Sequence, residues 1–99
     1  MANEVMSVAI LEALPGKEEA LLTMLRELYS MMNSKGYCSD LLYRDNDHPD
    51  RLVHLRRWKS VEHRAEAQID PEVHRYWQQL PSLCIIPTVY ESLETMFES

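Results

Sequence analysis

The segment at residues 42–60, LYRDNDHPDRLVHLRRWKS, predicts a β-hairpin in the middle of the chain. Residues 38–44 and 51–58 are the predicted strands, and the DNDHPD segment between them consists of turn-forming residues. Pro49 fixes one backbone dihedral of that loop, and the acidic side chains can bond to their own backbone. Two neighbouring antiparallel strands are therefore the starting point for the fold.

The first half of the chain predicts a strand followed by a helix. Residues 4–13, EVMSVAILEA, are β-prone and have apolar residues in both registers, which predicts a strand covered on both faces. Pro15 suits a first helical turn, and Gly36 suits a helix end. The helix between them has apolar residues at spacings of four, three and four, namely Leu21, Leu25, Leu28 and Met32.

The second half predicts two helical pieces and a final strand. Ser60 is the predicted N-cap of a helix over residues 61–69. Pro71 opens a second piece that runs to about residue 80, where Pro81 ends it. Residues 86–95 form the last strand, so the order is β, α, β, β, α, β. This order predicts an α+β, ferredoxin-like fold, in which an antiparallel four-stranded sheet carries both helices on one face.

Composition limits the number of domains and the classes of partner. A chain of 99 residues with 45% apolar residues and two glycines predicts one globular domain over residues 1–99. The net charge of −6 opposes binding to nucleic acid or to anionic lipid. With no membrane-length apolar run and no signal-peptide pattern, we expect a cytoplasmic protein without a membrane partner.

Cys38 and Cys84 are expected to be packing thiols.

Strand alternation assigns the residues of the first strand to two faces of the sheet. We expect Met6, Val8 and Ile10 to lie beneath the helices, which turns the alternate residues to the bare face. A bare face with that much apolar surface favours a partner, most simply a second copy of the chain. The first-strand residues expected on the bare face are Val5, Ser7, Ala9 and Leu11.

The hairpin adds polar and aromatic residues to this bare face. Val53 and Leu55 suit the helix side, and pairing Arg44 with Arg51 across the six-residue loop sets the register. The hairpin residues then expected on the bare face are Ser39, Leu41, Tyr43, Leu52, His54, Arg56 and Trp58.

The bare face therefore has the composition of a small-molecule site. Its small residues leave space, its aromatic residues supply walls, and its histidine and arginine supply convergent polar groups. Structural interpretations remain open: His54 could make a local hydrogen bond at an interface, Arg56 an ion pair across a dimer, and Trp58 a packing anchor. The predicted site residues are Ser7, Ala9, Tyr43, Leu52, His54, Arg56 and Trp58.

Three stretches together resemble the antibiotic biosynthesis monooxygenase family: PGKEEALLTMLREL at 15–28, GYCSDLLYRDNDHPDRLVHLRRWKS at 36–60 and IPTVYESLET at 86–95. The resemblance covers nearly the whole chain, and its LYRD, DHP, RW and KS series is the most specific part. It implies a dimeric α/β barrel, in which two sheets close face to face, and hence a homodimer. Members are typically cofactor-independent oxygenases of quinols, anthrones and related polycyclic phenols.

The resemblance implies a monooxygenase for a small aromatic, quinol-like or polyketide-like substrate, with molecular oxygen as co-substrate and no cofactor or metal. Such chemistry needs a phenol or enol anion that reduces oxygen itself. His54, with an unperturbed pKa of about 6.5, is the predicted base, and such a base gives about 10² to 10⁴ in rate. Arg56 would stabilise the oxyanion with a hydrogen bond from Tyr43, and Trp58 would stack on the substrate.

Departures from the family pattern keep other functions open. The haem-degrading branch uses an asparagine on the first strand, a helix tryptophan and a histidine ten residues later. The corresponding positions here are Ala9, Ala67 and Trp77, which disfavours haem cleavage. Many oxygenase members carry a histidine in the middle of that helix, where this chain has Ala67 and Gln68. The main alternative is a non-catalytic dimer that binds a small ligand, and an isomerase or dehydratase on the same barrel is a third hypothesis.

Overall fold

A computed structural model describes residues 5–99 of the protein, and its elements follow the predicted order. The strands form one antiparallel sheet in the order β2-β3-β1-β4, which confirms the ferredoxin-like α+β fold. None of the helices within residues 5–99 is long and apolar enough to cross a membrane. The elements are β1 Val5–Ala13, α1 Glu18–Ser34, β2 Cys38–Arg44, β3 Arg51–Trp58, α2 Val61–Gln68, α3 Pro71–Trp77, α4 Leu80–Leu83 and β4 Cys84–Leu93.

Helix α1 buries the apolar stripe that the sequence predicts and ends at Ser34, two residues before the predicted glycine. Gly36 has a φ of +76°, which glycine adopts without a steric penalty. The Gly36 N–H donates to the Asn33 carbonyl at 2.9 Å and the Tyr37 N–H donates to the Met32 carbonyl at 3.1 Å. This is the Schellman pattern, which satisfies the last carbonyls of a helix. At the other end, Pro15 lies in the turn before α1 and not in its first turn.

The helical region after the hairpin contains three short helices. Ser60 caps α2 as predicted, because its Oγ accepts the His63 N–H at 3.1 Å. Pro81 does not end a helix: it lies in the first turn of α4, where a missing N–H breaks no helical hydrogen bond. Strand β4 begins at Cys84, before the predicted start at residue 86. Both cysteines are buried free thiols, as expected.

The register of the hairpin differs from the predicted one by one residue. Arg44 pairs with Leu52 and not with Arg51, and Tyr43 pairs with Val53. The loop fixes this register, because the Asp45 N–H donates to the Arg51 carbonyl at 3.0 Å and the Asp45 carboxylate accepts the Asp47 N–H at 2.9 Å. A shift of one residue moves one strand's side chains to the other face relative to its partner.

The helices cover the face of the sheet opposite to the predicted one. The buried strand residues all lie on the helix side, where they pack with α1, α2 and α3. The prediction was wrong because β1 is apolar in both registers, so alternation alone does not select a side. We call this covered side the helix face, and its residues in β1 and the hairpin are Val5, Ser7, Ala9, Leu11, Cys38, Asp40, Leu42, Leu52, His54, Arg56 and Trp58.

The opposite side of the sheet, which we call the open face, is covered by no helix of the described chain. Leu41 and Tyr43 are more than half exposed there, at 57% and 53%. Ser39, Leu41 and Tyr43 therefore lie on the uncovered side as predicted, whereas the other predicted members of that side do not. The open face consists of Met6, Val8, Ile10, Ser39, Leu41, Tyr43, Val53, Leu55, Arg57 and Tyr90.

Candidate active site

The helix face brings most of the predicted site residues together beneath α1. Antiparallel pairing places Asp40, Arg56 and Ser7 in one row across the three strands. The next row contains Leu42, His54 and Ala9. Of the predicted set, the structure groups Ser7, Ala9, Leu52, His54, Arg56 and Trp58 on this one face.

Tyr43 is separated from that group by the sheet itself. The predicted register placed it beside His54 and Arg56, but the observed register turns its ring to the open face. A hydrogen bond from Tyr43 to a substrate held beside His54 would have to pass through the backbone of the sheet. The predicted site residues other than Tyr43 therefore lie between the sheet and the helices, and not on the uncovered side.

A buried ion pair forms the centre of the group. The Arg56 Nε donates to the Asp40 Oδ1 at 2.6 Å, and the two side chains are only 6% and 1% exposed. The Cys38 thiol donates to the other carboxylate oxygen of Asp40 at 3.6 Å. Burial raises the pKa of the Asp40 carboxyl, and the charge of Arg56 acts against that shift. A buried charge is tolerated only when it is paired in this way.

The guanidinium of Arg56 also has an aromatic neighbour and two further donor groups. Its central carbon lies 5.2 Å from the ring centroid of Trp58, and the Trp58 Nε1–H donates to the Ser7 Oγ at 3.0 Å. Among the described residues, neither terminal nitrogen of Arg56 has a hydrogen-bond partner. No buried side-chain nitrogen or oxygen of that part of the chain is unsatisfied, so these nitrogens keep a small exposed surface. They are the donor groups of Arg56 that the described residues leave unused.

His54 pairs with a tyrosine of α1. The Tyr29 hydroxyl lies 2.5 Å from the His54 Nδ1, and the two ring centroids are 5.4 Å apart. Burial, together with the positive charge of Arg56, lowers the pKa of His54 to about 3. Burial, followed by the negative charge of Asp40, raises the pKa of Tyr29. At neutral pH this is an uncharged imidazole hydrogen-bonded to an uncharged phenol.

Sequence reasoning overlooked Tyr29, although a signal was present. Tyr29 follows Leu25 by four residues and Leu28 by one, which places it beside the buried stripe of α1. A tyrosine at such a position has a polar tip that needs a buried partner. The identity of that partner depends on how α1 crosses β3, and the sequence does not give this packing.

A cleft of ≈ 320 Å³ lies between α1 and the edge strand β2 and shares Tyr29 and Asp40 with the buried group. Tyr29 belongs to both, because it lines the cleft and its hydroxyl contacts His54. The cleft is otherwise mostly apolar. Its lining residues are Leu22, Leu25, Arg26, Tyr29, Asp40, Leu41 and Leu42.

The other histidines lie apart from this group. The His63 ring bonds to Ser60 at the start of α2, at 2.6 Å. The His74 ring bonds to the Gln68 carbonyl and lies 5.5 Å from the ring of Trp77. Within residues 5–99, no three His, Cys, Asp or Glu side chains lie close enough together to hold a metal ion.

Several solved structures of other proteins have a fold similar to that of this chain. Rv0793 from Mycobacterium tuberculosis is 23% identical with a TM-score of 0.75, over 96% of this chain and 100% of that one. SnoaB from Streptomyces nogalater, a cofactor-independent oxygenase, is 16% identical with a TM-score of 0.77, over 98% and 100%. PA3566 from Pseudomonas aeruginosa is 20% identical with a TM-score of 0.77, over 98% of each chain. At these identities the likeness establishes the fold alone.

Sequence comparison identifies the family. Among curated proteins, none matches the chain. The family model described as antibiotic biosynthesis monooxygenase matches residues 5–79, which is most of the sequence. The chain therefore belongs to the antibiotic biosynthesis monooxygenase family.

Proposed function

We propose that the protein is a cofactor-independent monooxygenase that acts, as a homodimer, on a small aromatic, quinol-like or polyketide-like substrate. The observation that carries this proposal is the group beneath α1, in which a neutral histidine and a buried arginine lie on one face of the sheet beside Trp58. Membership of the family supports it, and so does the structural likeness to SnoaB, a cofactor-independent oxygenase.

The chemistry follows from what an electron-rich anion requires. Once a phenol or enol loses its proton, the anion can transfer an electron to molecular oxygen without a metal or flavin. His54 accepts the proton, and the terminal nitrogens of Arg56 stabilise the oxyanion that forms. Trp58 stacks on the aromatic substrate, and Ser7, Ala9 and Leu52 belong to the same wall of the chamber.

The low basicity of His54 has a consequence for this mechanism. An imidazole with a pKa of about 3 does not take a proton from a phenol in the free protein. In the complex, proton transfer creates a phenolate close to the new imidazolium and to Arg56, and opposite charges attract strongly in a site with little water. His54 is therefore a base that functions only when the oxyanion forms beside it.

The homodimer is proposed to form through the open face. Aliphatic side chains fill the centre of that face, and Tyr90 at its margin is 54% exposed. A sheet face of this composition is expected to be covered by another surface, and a second copy offers an identical one. The interface and the reaction chamber then lie on opposite sides of the same sheet.

Oxygen uptake with a panel of quinols and anthrones tests the proposal. We expect uptake with at least one of them, and a loss of about 10² to 10⁴ in rate for His54→Ala. His48→Ala is the matched control, because His48 lies in the exposed hairpin loop. An unchanged rate in His54→Ala would reject the mechanism, and absence of uptake with every substrate would contradict the oxygenase class.

One observation favours a second candidate function, a non-catalytic dimer that binds a small ligand. His54 is a weak base and already has a hydrogen-bond partner in Tyr29. A ligand that binds the native state alone raises its stability, so thermal stabilisation without turnover of any bound compound would support this alternative.

A further inference from the structure

Two polar side chains of α1, a tyrosine and an arginine, belong to the lining of the cleft between α1 and β2. Arg26 and Tyr29 are three residues apart on α1, so they lie on the same side of the helix with their Cβ atoms about 5 to 6 Å apart. Leu22 and Leu25 continue the same surface towards the start of the helix. One ligand can therefore contact both polar groups and rest on the leucines.

Arg26 is an exposed cation without a carboxylate partner among the described residues. Arg44 pairs with Glu18, Arg51 with Glu12 and Arg56 with Asp40. By contrast, no Asp or Glu of residues 5–99 lies within 4.0 Å of the Arg26 nitrogens. The Asp40 carboxylate belongs to the same cleft region, but it is 1% exposed and neutralised by Arg56. An anion in the cleft thus meets a positive charge, and the acidic residue in the lining of the cleft, Asp40, is buried and paired.

We propose that this cleft admits the substrate and selects a phenol that carries an acidic substituent, with Tyr29 bound to the phenolic oxygen and Arg26 to the acid. The inference rests on the proposed function, and it adds the class of substrate and a further catalytic residue. A volume of ≈ 320 Å³ lies at the small end of ligand pockets, which suits a compound of one or two rings.

Tyr29 gives the phenolic proton a path to the buried histidine. In this arrangement, the Tyr29 Oη accepts the substrate O–H while the Tyr29 O–H donates to the His54 Nδ1. When the substrate O–H bond breaks, its proton moves to the Tyr29 Oη and the proton of Tyr29 moves to His54. The products are a phenolate and an imidazolium, and Tyr29 is unchanged. No oxidant takes part in this step.

Equilibrium binding without oxygen tests the charge selectivity. The probes are 1,4-dihydroxynaphthalene-2-carboxylate and its methyl ester, which differ in charge but keep the same rings and hydroxyl groups. We expect the wild type to bind the acid at least about tenfold more tightly than the ester. This difference in affinity corresponds to about 1.4 kcal/mol, which we attribute to one ion pair with Arg26. Arg26→Gln should remove this preference, and Arg75→Gln, a change to another exposed arginine, should keep it.

Equal affinities of the wild type for acid and ester would overturn the inference, as would a full preference retained in Arg26→Gln. Because binding is measured without oxygen, these results are independent of whether the protein consumes oxygen. A protein that binds the acid selectively but shows no uptake would refute the oxygenase and leave the selectivity standing.

Tyr29→Phe tests the proton path. The variant keeps the ring that lines the cleft and loses only the hydroxyl, so we expect the affinity for the acid to stay within about threefold of the wild type. We expect kcat for oxygen uptake to fall by about 10². An unchanged kcat would overturn the role of Tyr29, and so would an equal loss of affinity and kcat, because a merely structural residue would affect both.

Discussion

The two faces of the sheet differ in composition, and each contains the kind of residue that its surroundings disfavour. The helix face is buried, yet it holds the Arg56–Asp40 ion pair and a neutral histidine. The open face is uncovered in the single chain, yet its centre is formed by Val8, Ile10 and Leu55. The same three strands supply both faces, one residue apart along the chain.

This difference in composition agrees with the two roles proposed for the sheet. Apolar residues of similar volume often stabilise a protein as well as a buried ion pair does, so the pair contributes little to stability that a hydrophobic core would not provide. The proposed chemical role would explain why the helix face keeps such a pair. The proposed dimer would explain the apolar open face, since such a surface is stabilised when a second surface covers it.

The largest expected effect is the loss of the buried charge pair. Asp40→Asn leaves the Arg56 guanidinium buried without its counter-charge, and we expect a loss of about 3 to 5 kcal/mol in the free energy of unfolding. Urea denaturation at fixed protein concentration measures it. The control is Glu18→Gln, which breaks the exposed Arg44–Glu18 pair and should change stability far less, because solvent screens that pair. Similar small losses in both variants would show that the helix face does not depend on its ion pair.

A charge on the open face is expected to break the dimer. Val8→Asp places one carboxylate from each subunit in the proposed interface, and we expect dimer dissociation to become at least about 100-fold more favourable, or about 2.7 kcal/mol. Sedimentation equilibrium measures the change. Val61→Asp provides the matched control, because Val61 is 53% exposed at the start of α2. A wild type that is monomeric at micromolar concentration would show that dimer formation does not explain the apolar open face.

The buried histidine should make stability depend on pH. The unfolded chain protonates His54 below about pH 6.5, whereas in the native state its pKa is lowered to about 3. The native state therefore loses stability as the pH falls from 6.5 towards 3, by about 1.5 to 2 kcal/mol between pH 6.5 and 5. Tyr29 bonds to the imidazole and the charge of Arg56 acts on it, while the raised pKa of Asp40 gives a slope of opposite sign.

Urea denaturation of wild type and His54→Gln at pH 6.5 and pH 5 isolates this contribution, because Asp40 is present in both proteins. We expect the difference in stability between the two proteins to change over this interval, and we expect no such change for His48→Gln. Parallel pH dependences in wild type and His54→Gln would show that His54 is accessible to protons in the native state.

The smallest effect is expected at the tyrosine of the open face. Tyr43→Phe removes an exposed hydroxyl on the side of the sheet opposite His54, so oxygen uptake and ligand affinity should stay within about twofold, or about 0.4 kcal/mol. The same steady-state assay compares it with Tyr29→Phe. A large loss in Tyr43→Phe would place the chamber on the open face, as the sequence alone suggested.

Local patterns accounted for most of the secondary structure. The strands at 38–44 and 51–58 and the stripe of α1 agree with the structure because each depends on neighbouring residues and their spacing. The hairpin register was missed because a six-residue loop permits more than one pairing, and the bonds of Asp45 select one of them. Tyr29 was missed because its partner is 25 residues away in the sequence.

The sequence by itself determined the order of the elements, the end of α1 near Gly36 and the residue types that gather around the predicted site. Only the tertiary structure decided which side of the sheet is covered, and so which aromatic residue accompanies His54. The physical reason is the two-residue period of a strand, which exchanges its faces after a shift of one residue. When a strand is apolar on both sides, its own sequence does not say which face is buried, and packing and ion pairing between distant residues decide it. The catalytic roles of His54 and Arg56 stay predictions.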